Sequence, residues 1–265
     1  VAEDFIFADV SPRFTREAIK IIESHSDSSR PLFLFLAYPS PHTPWLPSAD
    51  FEGKSGAGMY GDFVAELDHM IGQVLDSLEQ TGMGKDTLVI FTSDNGPVWY
   101  EANSEKFGHR ATGNLRGIKA SVWEGGHRVP LIIKWPDHAP EKSQSDDLII
   151  FTDFVKTFAE LTEQDPENYS TAVDGVSILR SILNPGTLNS RSPIIHSKGR
   201  AIRDGRWKYI EAKAKRGFSA SKGDEFGDEL YNMENDPSET QNLAARYPEK
   251  VARLKKELIK LRGFD

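Results

Sequence analysis

Asp94 and Asn95 stand side by side in Thr92-Ser93-Asp94-Asn95-Gly96, directly after the apolar, β-forming run Leu88-Val89-Ile90-Phe91. An acid and an amide where a strand ends offer two adjacent oxygen donors, which suits a hard divalent cation. Ligands of open α/β sheets collect at the carboxyl ends of strands. The same Asp-Asn-Gly is also good turn chemistry. His42, in Pro41-His42-Thr43-Pro44, is held between prolines after another apolar run, and an imidazole suits proton transfer or an anion contact. Lys119, in Leu115-Arg116-Gly117-Ile118-Lys119, is a flexible point charge with three donors for an anionic oxygen; its plain alternative is a solvated surface lysine. Gly125 and Gly126, in Trp123-Glu124-Gly125-Gly126-His127-Arg128-Val129-Pro130, permit close backbone approach or simply a tight turn. An Asp-Asn pair, a His and a Lys at successive strand ends make, together, a metal-assisted anion site.

The elements that must position these residues read as alternating strands and helices. Thr15 to Ser24 reads as a helix capped by Thr15, with Ala18, Ile19, Ile21 and Ile22 on its apolar face. Leu32 to Ala37 is too continuously apolar for a half-exposed strand and reads as a buried one. Pro39, Pro41, Pro44 and Pro47 then stiffen a loop. Met59 to Thr81 is the clearest helix, with apolar residues from Tyr60 to Leu78 at three- and four-residue spacing. With the strand at Leu88 this gives strand–helix–strand order, which predicts a parallel pair joined by a right-handed crossover. A long polar loop from Pro97 to Asn114 leads to the Gly-rich stretch, then a strand at Val129 to Lys134. Asp147 to Thr162 reads as a strand followed by a helix. From Ser192 the pattern becomes short β-like segments, at Ile194-Ile195-His196, Arg200 to Ile202, Trp207 to Ile210 and Leu230-Tyr231. A charged helix from Pro248 to Leu261 closes the chain.

The 265 residues suffice for one large domain or two smaller ones. A net charge of −8, with no Lys/Arg-rich block, argues against a nucleic-acid surface. The absence of Cys removes disulfides, Cys-ligated zinc and a thiol nucleophile. The longest apolar run, about Pro31 to Tyr38, falls far short of the ~20 residues of a membrane span. No signal peptide is visible, and a start at Val1 reads as a cut, processed or truncated end.

The chain resembles the C-terminal two-thirds of a type I sulfatase of the bacterial arylsulfatase type, in the alkaline phosphatase-like superfamily. The resemblance rests on Phe33-Leu34-Phe35-Leu36-Ala37-Tyr38 with Pro41-His42-Thr43-Pro44, on Tyr60 and Leu67-Asp68, and on Thr92-Ser93-Asp94-Asn95-Gly96. It continues through the Lys119 and Trp123–Pro130 stretches. It closes with Ile202-Arg203-Asp204-Gly205-Arg206-Trp207-Lys208-Tyr209, then Leu230-Tyr231-Asn232 before Asn235-Asp236-Pro237-Ser238-Glu239.

That resemblance implies an α/β fold: a mixed sheet flanked by helices, incomplete on its N-terminal side, plus a small antiparallel sheet with one helix. The expected division is 1–165 for the later part of the catalytic domain, 166–191 as a connection and 192–265 as the C-terminal subdomain. By resemblance Asp94 and Asn95 help hold Ca2+, while His42 and Lys119 contact the sulfate and help the leaving oxygen depart. His109, before the Lys119 loop, and Trp99, which like Tyr100 beside it can stack on a sugar or aryl ring, are candidates for substrate binding. His127 is expected to pack. The implied reaction is hydrolysis of a sulfated carbohydrate or aryl sulfate in a secreted or periplasmic enzyme. Its nucleophile, a formylglycine made from Cys or Ser in a C/S-x-P-x-R motif, is not in this sequence. Ser11-Pro12-Arg13 lacks the intervening residue. The family's N-terminal Asp pair and Lys-x-His pair are missing too, so the chain is expected to be one part of a longer enzyme and inactive alone. The strands at Leu32 and Leu88 are then expected to expose apolar faces. A non-catalytic anion-binding protein and a related metal-dependent phosphoryl hydrolase are the alternatives.

Overall fold

The computed structural model describes residues 5–169, 172–187, 191, 193–221 and 224–263. In chain order the elements are α1 (Val10–His25), α2 (Gly58–Gln80), β1 (Val89–Thr92), α3 (Glu101–Phe107), β2 (Leu131–Lys134), α4 (Asp153–Leu161) and α5 (Leu179–Leu183). They continue with β3 (Ile194–His196), β4 (Ala201–Asp204), β5 (Trp207–Ile210), β6 (Glu229–Asn232) and α6 (Pro248–Arg262). Among the described residues no helix is long and apolar enough to cross a membrane.

Two compact units form. One comprises Val1–Val89, Glu101–His109 and Lys134–Asp137; the other comprises Ile90–Tyr100, Arg110–Ile133 and His138–Asp265. The expected boundaries at 165/166 and 191/192 do not mark this division, and Ser192 lies outside the described residues. Residues 110–133 go with the C-terminal sheet because Val122 and Trp123 share its core.

In the first unit α1 packs on α2. The buried side of α1 is Ser11, Thr15, Ala18 and Ile22, at helical spacing. Thr15, expected as a cap, sits inside the helix. Its hydroxyl donates back to the Ser11 carbonyl at 3.1 Å and lies 2.7 Å from the Tyr38 hydroxyl. Helix α2 buries Phe63, Met70 and Leu78, with Asp62 and Glu66 among them. The Asp62 carboxylate accepts from the Gly53 and Ser55 amides and the Ser55 hydroxyl, folding the preceding loop onto the helix.

Leu32 to Ala37 departs from expectation: no described residue pairs with it in a β ladder. The segment alternates, with Leu32, Leu34 and Leu36 half-buried and Phe33 and Phe35 at 75% and 81% exposure. A run apolar on both sides needs cover on both, and here only one side has it. The strand that pairs with β1 is therefore β2, and the predicted parallel pair is not formed. The strand expected after Asp147 is also absent, whereas the helix behind it is α4.

The second unit holds the expected antiparallel sheet, with its strands in the order β3-β4-β5-β6. Ile202 faces Tyr209 and Tyr209 faces Leu230 across the ladders. These three residues pack on Leu254 and Leu258 of α6. One residue along, Ala201, Ile210 and Tyr231 point the other way and pack on Val122 and Trp123. Both sheet faces are thus covered, one by a helix and the other by the Gly-rich loop.

Candidate active site

The Asp94–Gly96 corner and the Gly-rich loop meet backbone to backbone. The Gly96 amide donates to the Gly126 carbonyl at 3.0 Å, and the Lys119 amide donates to the Pro97 carbonyl at 2.8 Å. Within the loop the Gly125 amide donates to the Arg116 carbonyl at 2.8 Å. Glycine is required here by proximity. A methyl group on Gly96 would overlap the Gly125 carbonyl, and one on Gly125 would overlap the Gly117 and Arg116 carbonyls. Thr92, at the end of β1, anchors the same corner by donating to the Pro130 carbonyl at 2.9 Å.

Two buried ionic clasps hold this loop against the C-terminal sheet. In the first, Lys208 of β5, fully buried, places Nζ 2.8 Å from Glu124 Oε1 and 2.8 Å from Glu239 Oε1. Glu239 Oε2 accepts from the Glu124 amide at 2.6 Å. Burial is the largest influence and works to raise the Glu124 carboxyl, but the charge and hydrogen bond of Lys208, with the charges of His127 and Arg203, together outweigh it and hold the carboxyl below its usual range. For Glu239 burial wins over Lys208, and the carboxyl is raised. His127 Nε2 lies 3.3 Å from Lys208 Nζ, and its ring is 4.4 Å from that of His196. Burial first, then the Lys208 charge, pushes His127 down to about 4 and His196 well below its usual value.

In the second clasp, Glu229 accepts from the Trp123 indole at 2.9 Å and the Tyr231 hydroxyl at 2.6 Å, and pairs with the buried Arg216. The Arg116 guanidinium stacks 3.7 Å over the Trp123 ring.

Comparison with known proteins agrees with the residue pattern. The sulfatase family model matches residues 10–164, and the model described as N-sulphoglucosamine sulphohydrolase, C-terminal, matches residues 118–263. The chain belongs to the sulfatase family. It is similar to the N-acetylgalactosamine-6-O-sulfatase of Bacteroides thetaiotaomicron, 34% identical over 93% of this chain and 50% of that protein. It is also similar to the steryl-sulfatase of Homo sapiens, 35% identical over 61% of this chain and 27% of that one. The sulfatase chain therefore spans about half the length, or less, of these relatives. Among solved structures, a sulfatase described under the metabolism of multiple glycosaminoglycans by Bacteroides thetaiotaomicron superposes with a TM-score of 0.85 at 33% identity. It covers 98% of this chain and 55% of that one. Ps i-CgsB in complex with k-i-k-neocarrahexaose gives a TM-score of 0.77 at 25% identity, over 96% of this chain and 55% of that one. The fold is the alkaline phosphatase-like α/β fold expected from the sequence.

Within this sulfatase chain, Asp94, Asn95, Trp99 and Lys119 lie in the second unit, and His42 and His109 in the first. Asp94 is exposed and Asn95 half-buried, its amide donating to the Gly96 carbonyl at 3.2 Å. His42 is exposed, with Nδ1 2.8 Å from the Thr43 carbonyl. His109 is exposed after α3. Trp99 is 5% exposed and belongs to the buried apolar set, whereas Tyr100 beside it is 48% exposed. Ser11 is buried, with its hydroxyl 2.6 Å from that of Ser40, a structural setting.

A calcium ion takes 6–8 oxygen ligands. Asp94 and Asn95 offer two side chains, and no group of three or more metal-capable residues occurs among the described residues. By themselves these residues do not fit a calcium ion.

Sequence reasoning gave no role to Lys208 and Glu239, which stand in its motifs, and passed over Glu229 and Arg216. Trp207 to Ile210 reads as a strand, and a lysine inside it is ordinarily a solvated one. A usable signal was the covered face: Lys208 alternates in phase with Ile210, not with Trp207 and Tyr209.

Proposed function

We propose that this chain is the later part of the catalytic domain of a sulfuric ester hydrolase together with its C-terminal subdomain, acting on sulfated carbohydrate. The observation that carries the proposal is the backbone lock between the Asp94–Gly96 corner and the loop of Lys119. It draws the two oxygen donors and the Lys119 loop into one rigid backbone assembly. The carbohydrate class is supported by the glycosaminoglycan and neocarrahexaose descriptions of the similar structures.

In this reading the Lys119 ammonium stabilises charge on the non-bridging sulfate oxygens as the S–O bond breaks. His42, which is exposed on its loop, holds or delivers the proton that the departing oxygen requires. Tyr100 offers its open ring to a sugar face. Asp94 and Asn95 contribute part of a calcium shell whose other ligands, like the formylglycine nucleophile, come from outside these 265 residues. This chain alone is accordingly inactive.

The test is hydrolysis of 6-O-sulfated hexosamine, of aryl sulfate and of aryl phosphate by the natural polypeptide that carries this chain, with metal content measured alongside. Sulfate release from the sugar with bound calcium is the expected result. Preference for the phosphate ester, or zinc in place of calcium, would overturn the reading in favour of a phosphoryl hydrolase. Absence of turnover with retained sulfate binding would favour an anion-binding protein.

A further inference from the structure

We infer that Lys208 is a positioning residue for Lys119, acting through Glu124 and Glu239. The role of Lys119 rests on the proposed function; the path from Lys208 to its loop rests on geometry alone. Glu124 is gripped twice, at its carboxylate by Lys208 and at its amide by Glu239 Oε2. The next two residues carry that grip outward. Gly125 holds the Arg116 carbonyl and Gly126 holds the Gly96 amide, so Lys119 is bracketed between two fixed points of backbone. The Lys119 amide then closes the circuit on Pro97, one residue from Gly96.

Stability does not explain such a clasp. The surrounding face of the sheet is Val122, Trp123, Ala201, Ile210, Tyr231 and Met233. Apolar residues in place of the whole Lys208, Glu124 and Glu239 group would bind the loop about as well, because burying ions costs much of what their attraction returns. What an apolar contact lacks is direction. An ammonium between two carboxylates allows one register of the loop over the sheet, while methyl groups slide. The lysine therefore specifies where the loop stops, and the loop carries Lys119.

The experiment compares Lys208→Met, Lys208→Arg and Lys119→Ala in the natural polypeptide that carries this chain. Amide hydrogen exchange is read at residues 95–96 and 117–126, and kcat/KM on an aryl sulfate. Lys208→Met is expected to unfold cooperatively, to speed exchange in those two segments by about tenfold while β4–β6 stay protected, and to lower kcat/KM by about 100-fold. Lys208→Arg should recover part of both. In the Lys119→Ala background, Lys208→Met should add little, since its effect runs through Lys119. Unchanged exchange in a folded Lys208→Met protein, or equal losses of kcat/KM in both backgrounds, would overturn the inference. Where Lys208→Met does not fold, the double variant Lys208→Met/Glu239→Gln, with one buried carboxylate fewer, reads the same quantities. Failure of both to fold beside a stable Lys208→Arg would mark Lys208 as a structural tie and overturn the inference as well. Lack of sulfate-ester turnover in the unaltered protein would sink the functional reading alone, since exchange still decides the positioning.

Discussion

The amide of Gly96 donates to the carbonyl of Gly126 at 3.0 Å, with no room for a side chain at the approach. Two loops separated by thirty positions in sequence thereby act as one piece of backbone. The candidate chemistry of the second unit sits on that piece.

Gly96→Ala should disrupt it. The added methyl would meet the Gly125 carbonyl, which is backbone and cannot swing aside. A loss of about 1–3 kcal/mol in urea unfolding is expected, as for overpacking of a tight contact. Gly72→Ala in α2 provides the contrast, because nothing lies within 4 Å of a methyl there. It should stabilise by about 0.5–1 kcal/mol through helix propensity. Equal effects from the two substitutions would contradict the packing argument.

Lys119→Ala should lower kcat on a sulfate ester by about 100- to 1000-fold, as when one charge-stabilising donor is removed from a developing anion. His42→Ala should lower it most with a poor leaving group and least with an activated aryl sulfate, which departs without a proton. Steady-state kinetics on the two ester types checks both. Wild-type turnover in either variant would remove that residue from the site.

Glu229→Ala should cost about 3–5 kcal/mol, because it leaves the Arg216 guanidinium buried without its carboxylate. Removing Lys134, whose pair with Glu79 is exposed, should cost less than about 1 kcal/mol. Chemical denaturation of the two variants settles the order, and a similar small effect for both would show that the Glu229 clasp is not buried in solution.

Stability should fall as the pH drops from about 6.5 towards about 4. Burial keeps His127 and His196 neutral in the fold, with Lys208 and Arg203 opposing a further positive charge and Glu124 favouring one on His127. The unfolded chain takes up protons on both imidazoles near their ordinary value, so below it the unfolded state binds more protons and gains. Above that value both states are neutral and the dependence vanishes. His127→Asn should flatten the fall of the urea midpoint across this range; an unchanged slope would show that His127 titrates normally.

The C-terminal sheet was legible because its strands alternate cleanly. Ile202, Tyr209 and Leu230 mark one face and Ala201, Ile210 and Tyr231 the other. Helix α2 was legible for a related reason, its apolar residues recurring at helical spacing over 23 residues. Leu32 to Ala37 was misread because an apolar run announces that it wants partners, not that it has them. The end of α1 was misjudged at Thr15, since a hydroxyl that caps a helix can equally bond back inside it.

The sequence alone determined the family and the closing sheet and helix, and it nominated candidates for the site. Those follow from local patterns and from motifs in a set order. Only the tertiary structure decided which ordinary-looking residues support them. Glu239 and Glu229 carry no local mark of burial, and Lys208 only its phase with Ile210, because a charge is buried or solvated according to what the rest of the chain lays over it. Gly96 likewise reads as a turn former, and Gly125 as a site of close backbone approach or a turn. Their need for a bare Cα arises from carbonyls elsewhere in the chain, which no local pattern reveals.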